Sequence, residues 1–341
     1  INSILTMFCS FIDGLTFYFV IVSVSILFGV AIATIVSLIS KRFNRLIFFI
    51  IIILIAMVPI LEIYFYPQVY FYSPLIGYFP GNIYDEGLSA SWKLLFHQLL
   101  VFVFSITIVI IFIKRSTLVL KYKKYYFLSI IVTVTSFQFI SPLLGFTTTF
   151  SKLDSTLPNR IESKSFILHY DDIDSTEAKL IALNQEYYYS QLYTALQTEP
   201  SRIINVYLFN DREQKKNIFG AGNADVAKPW QYSIYISADS WQSTLKHELA
   251  HVFTSEFGTG PFKLASGFNA ALIEGMAESL DGISNDIAIE DLTSLAYNNG
   301  YALEIKSLFT GLSFFKVNST LAYIYSGAFI EYLTKKYGIE K

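Results

Sequence analysis

Four long apolar stretches, all within the first 150 residues, constrain this chain more than anything else in it. They run over 17–39, 46–66, 94–113 and 126–146; the first, third and fourth contain no Asp, Glu, Lys or Arg, and the second contains only Glu62. A helix needs about 20 mostly apolar residues to cross the hydrocarbon layer. Residues 1–150 therefore read as an all-α transmembrane bundle of four helices, with the lipid bilayer as its partner. The first stretch is too long for a secretory signal, has no basic start, and three more follow it. Ile1 rather than Met stands first, which fits a natural chain that begins earlier. The whole chain is 53% hydrophobic and 15% charged, against about 25% charged for soluble proteins, which excludes a purely soluble or a disordered chain. A net charge of −2 provides no basic field for nucleic acid. The single cysteine, Cys9, excludes an intrachain disulfide framework and a cysteine metal cluster. Its neighbours Met7 and Phe8 are not the small residues of a lipid-attachment site, so it reads as apolar filler.

The connections set an orientation. The first carries Lys41, Arg42 and Arg45, and the third Lys114, Arg115, Lys121, Lys123 and Lys124. The second, 67–91, carries Asp85 and Glu86 and no Lys or Arg, and is rich in aromatic residues suited to a membrane–water boundary. Positive charge stays inside; the second connection and everything after Phe150 then lie outside the cytoplasm. Glu62 and His97 fall near the outer ends of their helices, where they could meet. At that shallow depth both are expected to reach water. Broken helices and inverted repeats, the marks of a transporter, are missing from the pattern.

After Phe150 the composition becomes ordinary. Strands are expected at 165–170, 202–209 and 231–237, and helices at 176–197, 211–219, 240–257, 268–281, 287–298 and 319–337. Residues 151–341 thus read as one extracytoplasmic α+β domain, and the strand–helix–strand start favours a parallel pair. The loop before the third strand, Gly220-Ala221-Gly222-Asn223-Ala224-Asp225, is rich in residues that form plain turns.

The helix at 240–257 carries His247-Glu248-Leu249-Ala250-His251. Residues four apart lie one above the other on a helix, so two neutral imidazoles can hold one ion from one face, with Glu248 beside it as general base. A catalytic zinc takes three protein ligands and keeps one open position. Shortly after His251 there is no third histidine, and the next helix offers Glu274-Gly275-Met276-Ala277-Glu278. Glu274 is expected as the third ligand. Glu278, on the same face, would accept the second ring N–H of a ligating histidine. Gly275 and Ala277 are small enough to bring this helix close to the first. The expected cofactor is one Zn2+, and Lys246 and the other polar residues keep this helix out of lipid.

His247–His251 followed by Glu274 within Leu272-Ile273-Glu274-Gly275-Met276-Ala277-Glu278 resembles the gluzincin zinc metallopeptidases, in particular their small domains that pair H-E-L-x-H with an E-G-x-A-E helix. Tyr323-Ile324-Tyr325-Ser326-Gly327-Ala328, through Lys336-Tyr337-Gly338, is similar to the final helix of that group. The resemblance spans roughly 160–340. It implies a zincin-like fold in which a strand over Tyr232, Ile234 and Ile236 borders the cleft and pairs with a peptide or protein substrate, while the loop Gly220–Asp225 would shape the cleft rim. It also implies a tyrosine on the oxyanion, Tyr323 or else Tyr325; two apart on a helix, only one of them can face the metal. Glu278 stands where some gluzincins carry aspartate. The implied activity is peptide hydrolysis outside the cytoplasm by a zinc-activated water, with Glu248 taking and returning the proton. The alternative is a catalytically silent zincin-like binding or sensor domain on a membrane bundle.

Overall fold

The computed structural model describes residues 11–39, 42–81, 90–264, 269–284, 286–310 and 312–339. Cys9, Lys41, Asp85, Glu86 and Phe268, on which parts of the reading above fall, lie outside them. The chain divides into two compact units: Ile1–Leu153 together with Ile218–Ala221, and Asp154–Asn217 together with Gly222–Lys341.

Among the described residues of the first unit, three helical segments are long and apolar enough to cross a membrane. These are α1 (Gly14–Ile39), α2 (Asn44–Phe65) and the first part, Trp92–Lys114, of α3 (Trp92–Lys121). The fourth apolar stretch forms α4 (Lys123–Ile140), which is not one of them. It takes in Lys123 and Lys124 at its start and stops short of Pro142, which cannot extend a helix. Phe28, Ala31, Ile32, Ile35 and Val36 of α1 pack with Ile108 of α3. Ile26, Phe49, Ile53, Leu54, Leu61 and Val103 stay exposed, a surface that suits lipid.

The expected all-α region also contains a hairpin, β1 (Phe71–Ser73) and β2 (Gly77–Phe79). Its cross-strand aromatic pairs, Phe71 with Phe79 and Tyr72 with Tyr78, have ring centroids 5.3 and 4.8 Å apart; such pairs stabilise a short hairpin. Glu62 and His97 are not hydrated as expected: they are 8% and 2% exposed. Gln138 Nε2 of α4 donates to Glu62 Oε1 at 3.3 Å, and Tyr72, Phe137 and Phe146 enclose the His97 ring. Partners distant in the sequence cover both groups.

Helix α5 (Phe150–Thr156) leads into the second unit. There a five-stranded sheet runs β3 (Asn159–Glu162), β4 (Phe166–Tyr170), β5 (Ile204–Phe209), β7 (Ser233–Ser237) and β6 (Val226–Lys228), in that spatial order. The central β4, β5 and β7 are parallel, and β3 and β6 flank them antiparallel. Alternation along the strands sends Phe166, Leu168, Val206, Leu208, Ile234 and Ile236 to one face. There they form one core with α6 (Ser175–Leu196) and α8 (Trp241–Thr254), through residues such as Ile181, Leu192, Leu245, Leu249 and Phe253. The other face carries a stacked row of His169, Tyr207 and Tyr235, centroids 4.6 and 5.2 Å apart. Between β5 and β6 lies the short α7 (Arg212–Ile218).

The strand over Tyr232, Ile234 and Ile236 is not an edge strand. β6 occupies its outer hydrogen-bonding edge, Ile234 and Ile236 are fully buried, and the Tyr232 hydroxyl is tied to Ser201 and Glu256. These three residues build the core and a loop anchor, and the edge strand is β6.

The remaining helices are α9 (Ala270–Asp281), α10 (Ile289–Asn298), α11 (Ile305–Leu308) and α12 (Ser319–Tyr337), with a small hairpin, β8 (Ile283–Ser284) and β9 (Ile287–Ala288), between α9 and α10. Gly275 serves a different contact from the one expected. A Cβ there would meet the backbone of Ser326 in α12 at 2.8 Å, so the glycine brings α9 against α12, while Ala277 packs into the sheet core beside α8. Gly275→Val is expected to cost about 1–3 kcal/mol through overpacking and to lower the melting temperature of the second unit by several degrees, read by circular dichroism. An unchanged melting temperature would contradict the close approach.

Candidate metal centre

Three helices carry the candidate site. Helix α8 places His247 and His251 one turn apart on one face, while Leu245, Leu249, Val252 and Phe253 anchor the opposite face in the core. Helix α9 begins at Asn269, whose side chain caps Leu272 N, and presents Glu274 and Glu278 four residues apart. Helix α12 begins at Asn318, whose side chain caps Leu321 N, and presents Tyr323.

The ring nitrogens His247 Nε2 and His251 Nε2 are 3.2 Å apart, and Glu274 Oε2 is 3.4 Å from each of them. Ligands 2.0–2.1 Å from a tetrahedral zinc are separated by about 3.3–3.4 Å. The three atoms therefore form one face of a tetrahedron of the size a zinc-like ion requires. His247, Glu248 and His251 make a group able to hold a metal ion, their ligand atoms all lying within 4.8 Å of one another. The residues fit such a group in charge as well: three carboxylates, Glu248, Glu274 and Glu278, surround two imidazoles.

Glu278 Oε2 lies 3.2 Å from His247 Nδ1. A bond there fixes the tautomer that turns the Nε2 lone pair toward Glu274 and His251. Gly327 of α12 makes the space: a Cβ at that position would meet Glu278 Cγ at 2.8 Å. Of the two candidate tyrosines, Tyr323 faces the cluster, its ring centroid 6.2 Å from that of His247. Tyr325 is buried in the separate core of α10, α11 and α12.

The protonation states follow from burial and charge. Burial alone would depress His247, but hydrogen bonds to Glu274 and Glu278 and the charges of Glu248 and Glu274 outweigh it and hold the imidazole well above its ordinary value. Burial opposes ionisation of Glu274 too, yet the two histidines pull its carboxyl well below the usual range. Glu248 is raised, by burial first, with the histidines partly offsetting. Asp281 at the end of α9 is pushed up to about 6 by burial, against the pull of His247 and Lys246. Burial and the charges of Glu274 and Glu248 keep the Tyr323 phenol protonated. The carboxylates around His247 thus favour its protonated form, and a bound cation would compete with that proton.

One contributor escaped the sequence reading. Asp225, expected in a turn or cleft rim, is buried against α8 and accepts from Ser240 and Thr244. Hydroxyls at 240 and 244, spaced one turn apart and one turn before Glu248, were the available signal. No protein-family model and no curated protein matches this chain.

Two outcomes are expected. Glu278→Ala should weaken metal binding about 10–100-fold, measured by competition with a chelating dye; unchanged affinity would contradict the hydrogen bond to His247. Because metal uptake must displace the His247 proton, apparent affinity should rise with pH from 6 to 8, by up to about tenfold per unit for one proton. A flat or falling profile would contradict that proton's place in the cluster.

Proposed function

We propose that this chain is a membrane-anchored zinc-dependent metallopeptidase of the gluzincin type, hydrolysing peptide bonds outside the cytoplasm. In this reading the second unit is a zincin-like domain, and α4 completes a four-helix, multi-pass membrane region. The observation that carries it is the triangle of His247 Nε2, His251 Nε2 and Glu274 Oε2, with edges of 3.2–3.4 Å, beside a buried carboxylate that is not part of the triangle. Two imidazoles and one carboxylate are a donor set of catalytic zinc, leaving one position open. The basic residues Arg42, Arg45, Lys121, Lys123 and Lys124 support a cytoplasmic side for the first and third connections, and so the opposite side for the peptidase.

His247, His251 and Glu274 would hold the ion, which when bound supplies an acidified water and a Lewis acid for the scissile carbonyl. The chain's own groups do the rest. Glu278 keeps the His247 Nδ1 proton and so aims Nε2. Glu248, raised by burial, is a carboxylate with enough proton affinity to take a proton from water and hand it to the leaving nitrogen. Tyr323, held protonated, can donate its O–H to the oxyanion of the tetrahedral intermediate. An extended peptide would pair with β6, the end strand of the sheet, since β7 lies inside it.

Glu248→Gln should keep stoichiometric zinc and lose about 10²–10⁴-fold in hydrolysis, measured with a peptide library and metal analysis on the full chain in detergent. Cleavage surviving the substitution would defeat the mechanism. Stoichiometric zinc with no peptide cleaved by the unsubstituted chain would favour a silent binding domain.

A further inference from the structure

We infer that Asp225 is a positioning residue that sets the rotation of the metal helix α8, an inference that rests on the metal-site reading above. Ser240, Thr244 and Glu248 are spaced i, i+4 and i+8, so they form one stripe along α8. The two hydroxyls of that stripe converge on one atom: Ser240 Oγ and Thr244 Oγ1 each donate to Asp225 Oδ2 at 2.5 Å. Thr244 Oγ1 is also 2.9 Å from Ser240 O. The other carboxylate oxygen, Oδ1, is paired with Lys215 Nζ of α7, and both of these side chains are almost fully buried, at 1% and 0% exposed.

Several features set this apart from an ordinary cap. Ser240 stands at the N-cap position of α8 but makes no capping bond of its own. The first turn is held instead by a carboxylate from another segment, a negative charge at the positive end of the helix. A buried ion pair is a poor source of stability, because desolvation offsets most of its attraction. What Lys215 does is commit Oδ1, which leaves Oδ2 directed at the two hydroxyls.

The metal site needs that control because its ligands come from two helices. A rotation of α8 by about 20° would carry atoms 5–6 Å from its axis through about 2 Å. Both imidazole nitrogens would then leave their 3.4 Å separations from Glu274 Oε2, and Glu248 would swing with them. The core contacts of α8 are apolar and non-directional; the two short hydroxyl bonds to Asp225 are directional and lie on the stripe that ends in Glu248.

The test is a cobalt(II) titration of the full chain in detergent, followed by visible absorption, for the unsubstituted protein and for Thr244→Val, Thr244→Ser and Asp225→Asn. Thr244→Val keeps the shape and removes the hydroxyl; Thr244→Ser keeps the hydroxyl. The expected result is about 10–100-fold weaker cobalt binding and an altered absorption spectrum for Thr244→Val and Asp225→Asn, with Thr244→Ser close to unsubstituted. On any cleaved peptide, the loss should fall on kcat with KM little changed. Should Asp225→Asn fail to fold, Thr244→Val leaves the Lys215–Asp225 pair intact and decides the question. Cobalt affinity and spectrum unchanged in Thr244→Val, with only the melting temperature lowered, would overturn the positioning role. An unsubstituted chain that binds cobalt but cleaves nothing removes the peptidase reading and leaves the positioning role to be judged on affinity. One that binds no cobalt removes both.

Discussion

Two imidazole nitrogens 3.2 Å apart, facing a carboxylate oxygen 3.4 Å from each, require a positive charge between them. Three converging lone pairs repel one another unless a proton or a cation sits among them. The hydrogen bonds to Glu274 and Glu278 and the charges of Glu248 and Glu274 raise His247 despite its burial. Much of the second unit can be understood as serving that convergence. The sheet core fixes the apolar face of α8, Asn269 starts α9 at the phase that turns Glu274 inward, and Gly275 and Gly327 let α9 and α12 approach until Glu278 reaches His247.

What could be read from the residues was what repeats at a helical period. His247 and His251, and then Glu274 and Glu278, are spaced one turn apart, so their shared faces follow from the sequence. The core helices were legible for the same reason. β6 was not: Val226, Ala227 and Lys228 form a three-residue strand between Asp225 and Pro229, too short to show alternation. Missing it put Tyr232, Ile234 and Ile236 at an edge that β6 in fact covers. Asp225 was hidden because Lys215, Ser240 and Thr244 meet it only in three dimensions.

The membrane part shows the same limit. Length and apolarity marked out α1, α2 and α3. They could not show that Gln138 would reach Glu62, or that aromatic rings from a hairpin, α4 and the turn after it would enclose His97. Hydration was the natural expectation for ionisable groups near helix ends, and long-range packing overrode it. The same packing turned an aromatic connection, expected only to lie at the membrane surface, into a hairpin.

The central claim is that one divalent ion binds between α8 and α9. X-ray absorption on the zinc-loaded full chain tests it most directly. The expected result is a shell of nitrogen and oxygen donors at about 2.0–2.2 Å, with the multiple scattering of two imidazoles, and loss of one oxygen donor in Glu274→Ala. A chain that retains no zinc, or a shell without two imidazoles, would contradict it.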